Sequence, residues 1–413
     1  MRRSVTCLVM VLCVMLPLSA PAADRVTITD QGSYYQVSVE ANDASPQEVW
    51  SEYGRAVLAA VPDYESLVDS FLAAMVEGSQ ELMDTLIART ELIKPQVPEE
   101  YRQAIEAVAS CLSGHGSSAV VGDGKLADGE FWVWNLISDV YRAPACSMVS
   151  VFGSRSATGS TITGRLMDWV NVQYTAPIQA ITTIKNGEHS ICLIGWLGML
   201  GAVTAVNPQG VFCAVLEAGG DEANLCDAPH SYILDLRWAL EHYTTLEEVA
   251  AYMTDTARTY PYGHLIALAD ANRTVVVEND VLTGTRQVRT ADSSLRDGAS
   301  WGFSEAIAAV NSFMLPGTTD TFTHTEDNRQ RWNTFRDLME EAGSPVGVDR
   351  LKDMVGFYDG DKPGDYSGDI YNAETQQAIL FQPAEMSLQV FMHPRDQEDN
   401  PEQMSWETVE IGF

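Results

Sequence analysis

Apolar positions in the first part of the chain recur at intervals of three and four. From Pro46 to Gly114 this is the pattern of amphipathic helices, as in Glu48-Val49-Trp50-Ser51-Glu52-Tyr53 and Ser66-Leu67-Val68-Asp69-Ser70-Phe71-Leu72-Ala73-Ala74-Met75. The stretch from His115 to Gly129 turns Gly- and Ser-rich and predicts a loop. From Cys146 onward the period shortens. The runs Cys192-Leu193-Ile194-Gly195-Trp196, Val211-Phe212-Cys213-Ala214-Val215-Leu216, His264-Leu265-Ile266-Ala267-Leu268 and Thr274-Val275-Val276-Val277 are short, apolar and β-rich, and predict strands. Between them, Tyr232 to Thr254 predicts a helix. Sheets and helices thus come in large blocks, an α+β pattern, with no repeat and no low-complexity segment.

The chain opens with Arg2 and Arg3, an apolar run from Cys7 to Leu18 and the small-residue site Ala20-Pro21-Ala22. This reads as a secretory signal peptide over residues 1–22, cut after Ala22, and it implies a periplasmic or secreted protein. No later stretch reaches the roughly 18 uncharged residues of a spanning helix, so no membrane span is expected. The remaining chain, 46% hydrophobic overall, is long enough for a large core. A formal charge of −32, more negative still once Arg2 and Arg3 are removed, argues against nucleic-acid partners and anionic membranes. Cys111, Cys146, Cys192, Cys213 and Cys226 remain after signal removal, an odd number that leaves one thiol unpaired in an oxidising compartment. The other four either form at most two disulfides or serve as small buried apolar residues.

The chemistry concentrates in Cys146 to Trp169. Two β-rich runs flank Ser156-Ala157-Thr158-Gly159, a hairpin-turn sequence. In an antiparallel register centred there, Cys146 falls opposite Asp168 or its neighbour, with Arg165 a short step further in. A thiol, a guanidinium and a carboxylate gathered at one hairpin end would lower the thiol pKa and suit nucleophilic catalysis. Spacing alone leaves open an ordinary hairpin with a core cysteine and a surface ion pair.

This segment resembles the acyl-coenzyme A:isopenicillin N acyltransferase-like family of N-terminal-nucleophile (Ntn) hydrolases, relatives of choloylglycine hydrolase, acid ceramidase and N-acylethanolamine acid amidase. Those proteins carry a Cys opening a strand and a second strand ending in a pattern like Gly-Arg-x-x-Asp-Trp, matched by Gly164, Arg165, Asp168 and Trp169. Further likenesses follow in order: Trp196 to Gly201 with Thr204 to Val211, Asp270-Ala271-Asn272-Arg273 to Glu278, Val310-Asn311-Ser312-Phe313, Asp327-Asn328-Arg329, and Ile370 to Thr375. Together they span about Val97 to Met392, and their shared order is more specific than any single one.

The resemblance implies a four-layer αββα sandwich with a helical N-terminal segment. It implies self-cleavage of the Ala145–Cys146 bond into chains 23–145 and 146–413 that remain associated. The freed α-amine would act as the base for the Cys146 thiol, so no histidine is required. None of the seven histidines lies in a metal-binding or triad-like spacing. Asp168 would hold the amine, Arg165 would stabilise the thiolate, Asn311 would donate to the oxyanion, and Arg329 is the further arginine of the set, with Arg331 two positions on. Glu217 stands where choloylglycine hydrolases place an Asn donor, or, with a one-residue slip, where the ceramidase branch has a Glu. An ionised Glu cannot donate to an oxyanion. Leu197 replaces the Pro expected before Gly198, and Val310 the Thr before Asn311.

Asp359, Asp361, Asp365 and Asp369, interleaved with glycines, read as a solvated acidic loop in preference to a Ca²⁺ site. The expected activity is hydrolysis of a linear amide in a small N-acyl substrate through a thioester. Acyl transfer to an amine and a non-catalytic secreted binding protein are the alternatives. No cofactor or metal is expected, and the sequence leaves a homo-oligomer open.

Overall fold

The structure is a computed structural model that describes residues 24–142, 146–219 and 228–413. The expected signal segment, the expected cleavage point ahead of Cys146, and Cys226 lie outside the described residues. Two sheets form the centre. The larger runs in the order β1 (Val26–Asp30), β2 (Tyr35–Glu40), β5 (Gln179–Lys185), β6 (Ile191–Trp196), β7 (Thr204–Val206), β8 (Phe212–Glu217), β9 (His264–Ala269), β10 (Thr274–Asp280) and β11 (Thr285–Arg289). The smaller runs β12 (Ala306–Val310), β3 (Cys146–Val151), β4 (Ile162–Asp168), β13 (Thr375–Gln382), β14 (Ser387–Met392) and β15 (Glu407–Val409). Neighbours are antiparallel except for the parallel pair β2–β5.

The strand period of two sorts side chains between layers. On the smaller sheet Cys146, Met148, Met167, Ile307, Ala309, Ile379 and Phe381 face the larger sheet, where Phe381 stacks on Phe212 with ring centroids 5.6 Å apart. The alternate residues Val149, Val151, Leu166, Ala308 and Leu380 face outward onto a second core with Trp332, Phe335, Met339, Leu351 and Met354. Those last residues belong to α10 (Glu326–Ala342) and α11 (Val348–Val355). The remaining helices are α1 (Pro46–Ala60), α2 (Tyr64–Met75), α3 (Gln80–Ile93), α4 (Glu99–Ala109), α5 (Asp128–Asn135), α6 (Ile137–Val140), α7 (Val172–Thr175), α8 (Tyr232–His242) and α9 (Leu246–Thr254). α1 packs on β1 and β2, and α9 on β9 to β11. The result is the four-layer αββα sandwich, an α+β fold.

The N-terminal segment differs from a purely helical one. Tyr35-Gln36-Val37-Ser38-Val39-Glu40 alternates buried and half-buried residues and pairs with β5, so the first strands extend the large sheet. The single helix read over Tyr232 to Thr254 is two, because Thr245 and Glu248 form a capping box that starts α9. Cys111, Cys192 and Cys213 are free thiols, two of them buried, so these three take the small-apolar role; Cys146 is likewise free and buried. The acidic loop closes on its own amides. Asp369 is buried and accepts from the Asp359, Gly364 and Tyr366 N–H groups, and Asp365 accepts from those of Asp361 and Lys362. Solvation therefore describes only part of that cluster.

Candidate active site

Strand register builds the site. Cys146 opens β3 opposite Met167, and Met148 lies opposite Arg165, so the thiol and the guanidinium share the inner face of the smaller sheet. Arg165 is fully buried; its Nη2 lies 3.8 Å from the Cys146 sulfur and donates to the Val215 carbonyl of β8 at 3.1 Å. On the other flank of β3, Val310 pairs with Ser147, which brings Asn311, just past the end of β12, beside Cys146. The Cys146 N–H donates to Asn311 Oδ1 at 2.7 Å, and Asn311 Nδ2 donates to the Glu217 carbonyl at 2.9 Å.

Asp168 sits one position past Met167, so its side chain turns to the opposite face. There it accepts from the Thr375 hydroxyl at 2.7 Å and Asn372 Nδ2 at 3.0 Å, while its backbone N–H points at the Cys146 sulfur. Burial pushes the Asp168 carboxyl up to about 6, against the lowering effect of Thr375, Arg331, Asn372 and Arg165. Burial also pushes the Cys146 thiol up to about 11; Arg165 lowers it and the Asp168 charge raises it. The lowered thiol pKa that the hairpin cluster predicts is therefore not met in the chain with Cys146 still amide-linked. Desolvation outweighs the single guanidinium, and a carboxylate beside a thiol opposes thiolate formation.

Arg329 and Arg331 part company on α10. Arg329 is half-exposed and donates to the Thr323 carbonyl at 3.3 Å. Arg331 is buried and donates to the Cys146 carbonyl at 2.8 Å and to Asn311 Oδ1 at 3.1 Å. It is steadied by Asp327 at 2.8 Å and Asn328 Oδ1 at 2.7 Å. Asn328 Nδ2 in turn donates to the Asn311 carbonyl at 2.9 Å. No motif in the sequence marks Asn328, Asn372 or Thr375 for these roles. Arg331 and Asn328 carried a signal nonetheless: with Trp332, Phe335 and Met339 they share the buried stripe of α10.

The Cys146 thiol lines a small pocket of about 40 Å³. Ile137, Met167, Trp169, Met199, Val203, Val215 and Tyr232 give it apolar walls, and Ser138, Asp168 and Glu217 add polar groups. Glu217 thus shares the pocket with Cys146, its carboxylate 3.9 Å from Arg142. Gly198, with φ +76°, lets the neighbouring loop pass close: a Cβ there would meet the Tyr64 hydroxyl at 1.9 Å. Tyr53 accepts from the Gly198 N–H and Tyr64 donates to the Leu197 carbonyl, so the first two helices hold this wall where Leu197 stands in place of a proline. Among the described residues no group of three or more His, Cys, Asp or Glu side chains is arranged to hold a metal ion.

No family model matches the sequence, and no curated protein does. Among solved structures, the chain aligns with the N-acylethanolamine-hydrolyzing acid amidase ortholog of Caenorhabditis elegans at 12% identity and a TM-score of 0.43, over 64% of this chain and 100% of that one. It aligns with a variant of conjugated bile acid hydrolase from Clostridium perfringens at 11% identity and a TM-score of 0.37, over 64% and 96% of the two chains. For penicillin V acylase from Agrobacterium tumefaciens the values are 11%, 0.36, 60% and 83%.

Proposed function

We propose that the protein is an exported Ntn amidohydrolase that cuts itself before Cys146 and then uses Cys146 to attack a linear amide. The observation that carries this reading is the placement of one residue. Cys146 opens an inner strand with its thiol on a largely apolar pocket, its own nitrogen held by Asn311 and Arg165 beside its sulfur. Among the described residues no histidine lines that pocket.

A thiol held at about 11 needs a base before it can act as a nucleophile near neutral pH. An α-amine on Cys146 itself, with a reference pKa of about 7.7 to 8.0, is the matched group, and cleavage creates it. Arg165 then stabilises the thiolate, while the Asp168 carboxylate, held by Thr375 and Asn372, sets the field at the amine. Asn311 and Arg331 hold the two ends of residue 146, its nitrogen and its carbonyl, and Asn311 supplies the oxyanion donor. Attack on the substrate carbonyl releases an amine and leaves a thioester, which water resolves. The apolar walls suit an acyl group with little polarity.

The test uses full-length protein expressed with its leader. The active preparation should show two pieces beginning at residues 23 and 146 and should release amine from members of an N-acyl amide panel, while Cys146→Ala should stay uncut and inactive. Turnover by intact chain would end the Ntn reading, and the absence of both cleavage and selective labelling of Cys146 by limiting iodoacetamide would favour the binding-protein alternative. Hydroxamate formation rivalling hydrolysis in hydroxylamine would favour acyl transfer.

A further inference from the structure

The segment ahead of Cys146 is anchored by a side chain that the proposed chemistry leaves unused. Arg142 donates from Nη1 to the Gly263 carbonyl at 3.0 Å and from Nη2 to the Gly219 carbonyl at 3.2 Å. Its guanidinium lies 5.4 Å over the Tyr262 ring and 3.9 Å from the Glu217 carboxylate. Tyr262 is itself fixed, because Arg89 of α3 donates to its hydroxyl at 2.8 Å and to the Val140 carbonyl at 2.7 Å. Gly263 leads into β9, whose first residue His264 pairs with Glu217, the last residue of β8. Arg142 therefore grips the adjoining ends of β8 and β9 from the amino-terminal side.

The same strand end holds Cys146 from the carboxy-terminal side. Asn311 accepts from the Cys146 N–H and donates to the Glu217 carbonyl. Three residues join Arg142 to Cys146. Both ends of this short connection are thus tied to one place, the end of β8. A guanidinium that bonds two carbonyls of different segments fixes direction as well as distance, which a single ammonium contact does not.

We infer that Arg142 is a positioning residue for self-cleavage, anchoring the chain on the amino-terminal side of Cys146 to the same strand end that holds Cys146 itself. The inference rests on the Ntn reading above. In the step it serves, the Cys146 sulfur adds to the carbonyl carbon of residue 145, the C–N bond breaks, and the thiol proton ends on the departing nitrogen, which becomes the α-amine. Water then splits the thioester, its hydroxyl going to the carbonyl carbon and its remaining proton to sulfur. An intramolecular attack of this kind depends on a near-attack geometry, and misplacement by about 1 Å costs about a hundredfold.

The experiment follows cleavage of freshly purified precursor by intact mass, with thermal midpoints and turnover per cleaved molecule measured alongside. Arg142→Ala should cleave about a hundredfold more slowly, and Arg142→Lys, which keeps the charge but not the two-carbonyl grip, about tenfold more slowly. Turnover per cleaved molecule should stay within about threefold of wild type, and the midpoint of Arg142→Lys should match it. If Arg142→Ala does not fold, Arg142→Lys carries the test. Wild-type cleavage rates in Arg142→Lys would overturn the inference. So would slowed cleavage accompanied by an equal loss of turnover and a lowered midpoint, which is the mark of a merely structural role. A wild-type chain that never cleaves would overturn the Ntn reading itself, an outcome visible without any Arg142 variant.

Discussion

At the scale of single residues, the hairpin shows what spacing can and cannot reveal. Cys146 and Arg165 meet because an antiparallel register links their positions across a turn, and the register found, Cys146 opposite Met167, is the neighbour of Asp168. Asn311 reaches the same point through a second pairing, Val310 with Ser147, which joins residues far apart in sequence and is legible only through the family resemblance. Arg329 and Arg331 show the limit. Two positions on a helix lie about 200° apart, so only one faces the sheet, and the buried stripe through Trp332, Phe335 and Met339 selects Arg331. The carboxylate of Asp168 bonds Thr375 and Asn372, so in the proposed mechanism it would act through its charge. Asp168→Asn removes that charge and keeps the shape. In correctly cleaved protein, turnover should fall by about a hundredfold, the usual scale for losing an acid–base partner, and near-wild-type rates would remove Asp168 from the mechanism.

Among the elements, β10 and β11 do more for the site than their distance from Cys146 suggests. Glu278 on β10 is fully buried and pairs with Arg289 on β11 at 2.7 Å. Its other oxygen accepts from the Met314 and Leu315 N–H groups at 2.9 and 3.0 Å, which fixes the loop leaving Asn311. Arg289 extends the link to the Ala308 carbonyl on β12 at 2.8 Å. The sequence announces the β9–β10 hairpin through its apolar runs and the Asp270 turn, but nothing in the pattern says that Glu278 and Arg289 point inward to meet. Breaking such a pair by removing one charge leaves the partner buried and uncompensated, at about 3 to 5 kcal/mol. Glu278→Gln should lower the unfolding free energy measured in urea by about that much, with a correspondingly lower midpoint, and reduce turnover in the fraction that folds. A variant as stable as wild type would show that Arg289 finds another partner. The N-terminal strands teach the converse lesson. The alternation from Tyr35 to Glu40 is a period-two signal, outweighed in the sequence by the longer helical blocks that follow it.

For the molecule as a whole, three buried carboxyls set a common dependence on pH. Burial pushes Asp139 up to about 8, against the hydrogen bonds from the Ser231 hydroxyl and the Tyr232 N–H. Glu130 is raised to about 7 and Asp168 to about 6, burial again being the first cause. In each case the folded state holds its proton more tightly than the unfolded chain. The stability they contribute is therefore fully present below the unfolded carboxyl range near pH 4 and is lost as pH rises through about 6 to 8. His264 acts the other way: burial lowers it from 6.5 to about 3, so its contribution is present above about pH 6.5 and is lost as pH falls toward 3. Between about pH 6.5 and 8.5 only the carboxyls act, and the formal charge of −32 adds self-repulsion that grows in the same direction. The thermal midpoint should therefore climb as pH is lowered from about 8.5 to 6.5. Salt separates the two causes, because it screens the surface charge and leaves buried groups largely untouched. Asp139 is the decisive residue, since its side chain on α6 bonds Ser231 and Tyr232 at the start of α8, across the cut proposed before Cys146. Asp139→Asn keeps an acceptor for these bonds and has no proton to lose. At high salt its midpoint should vary less between pH 6.5 and 8.5 than that of wild type, and an unchanged slope would show that Asp139 titrates outside this window.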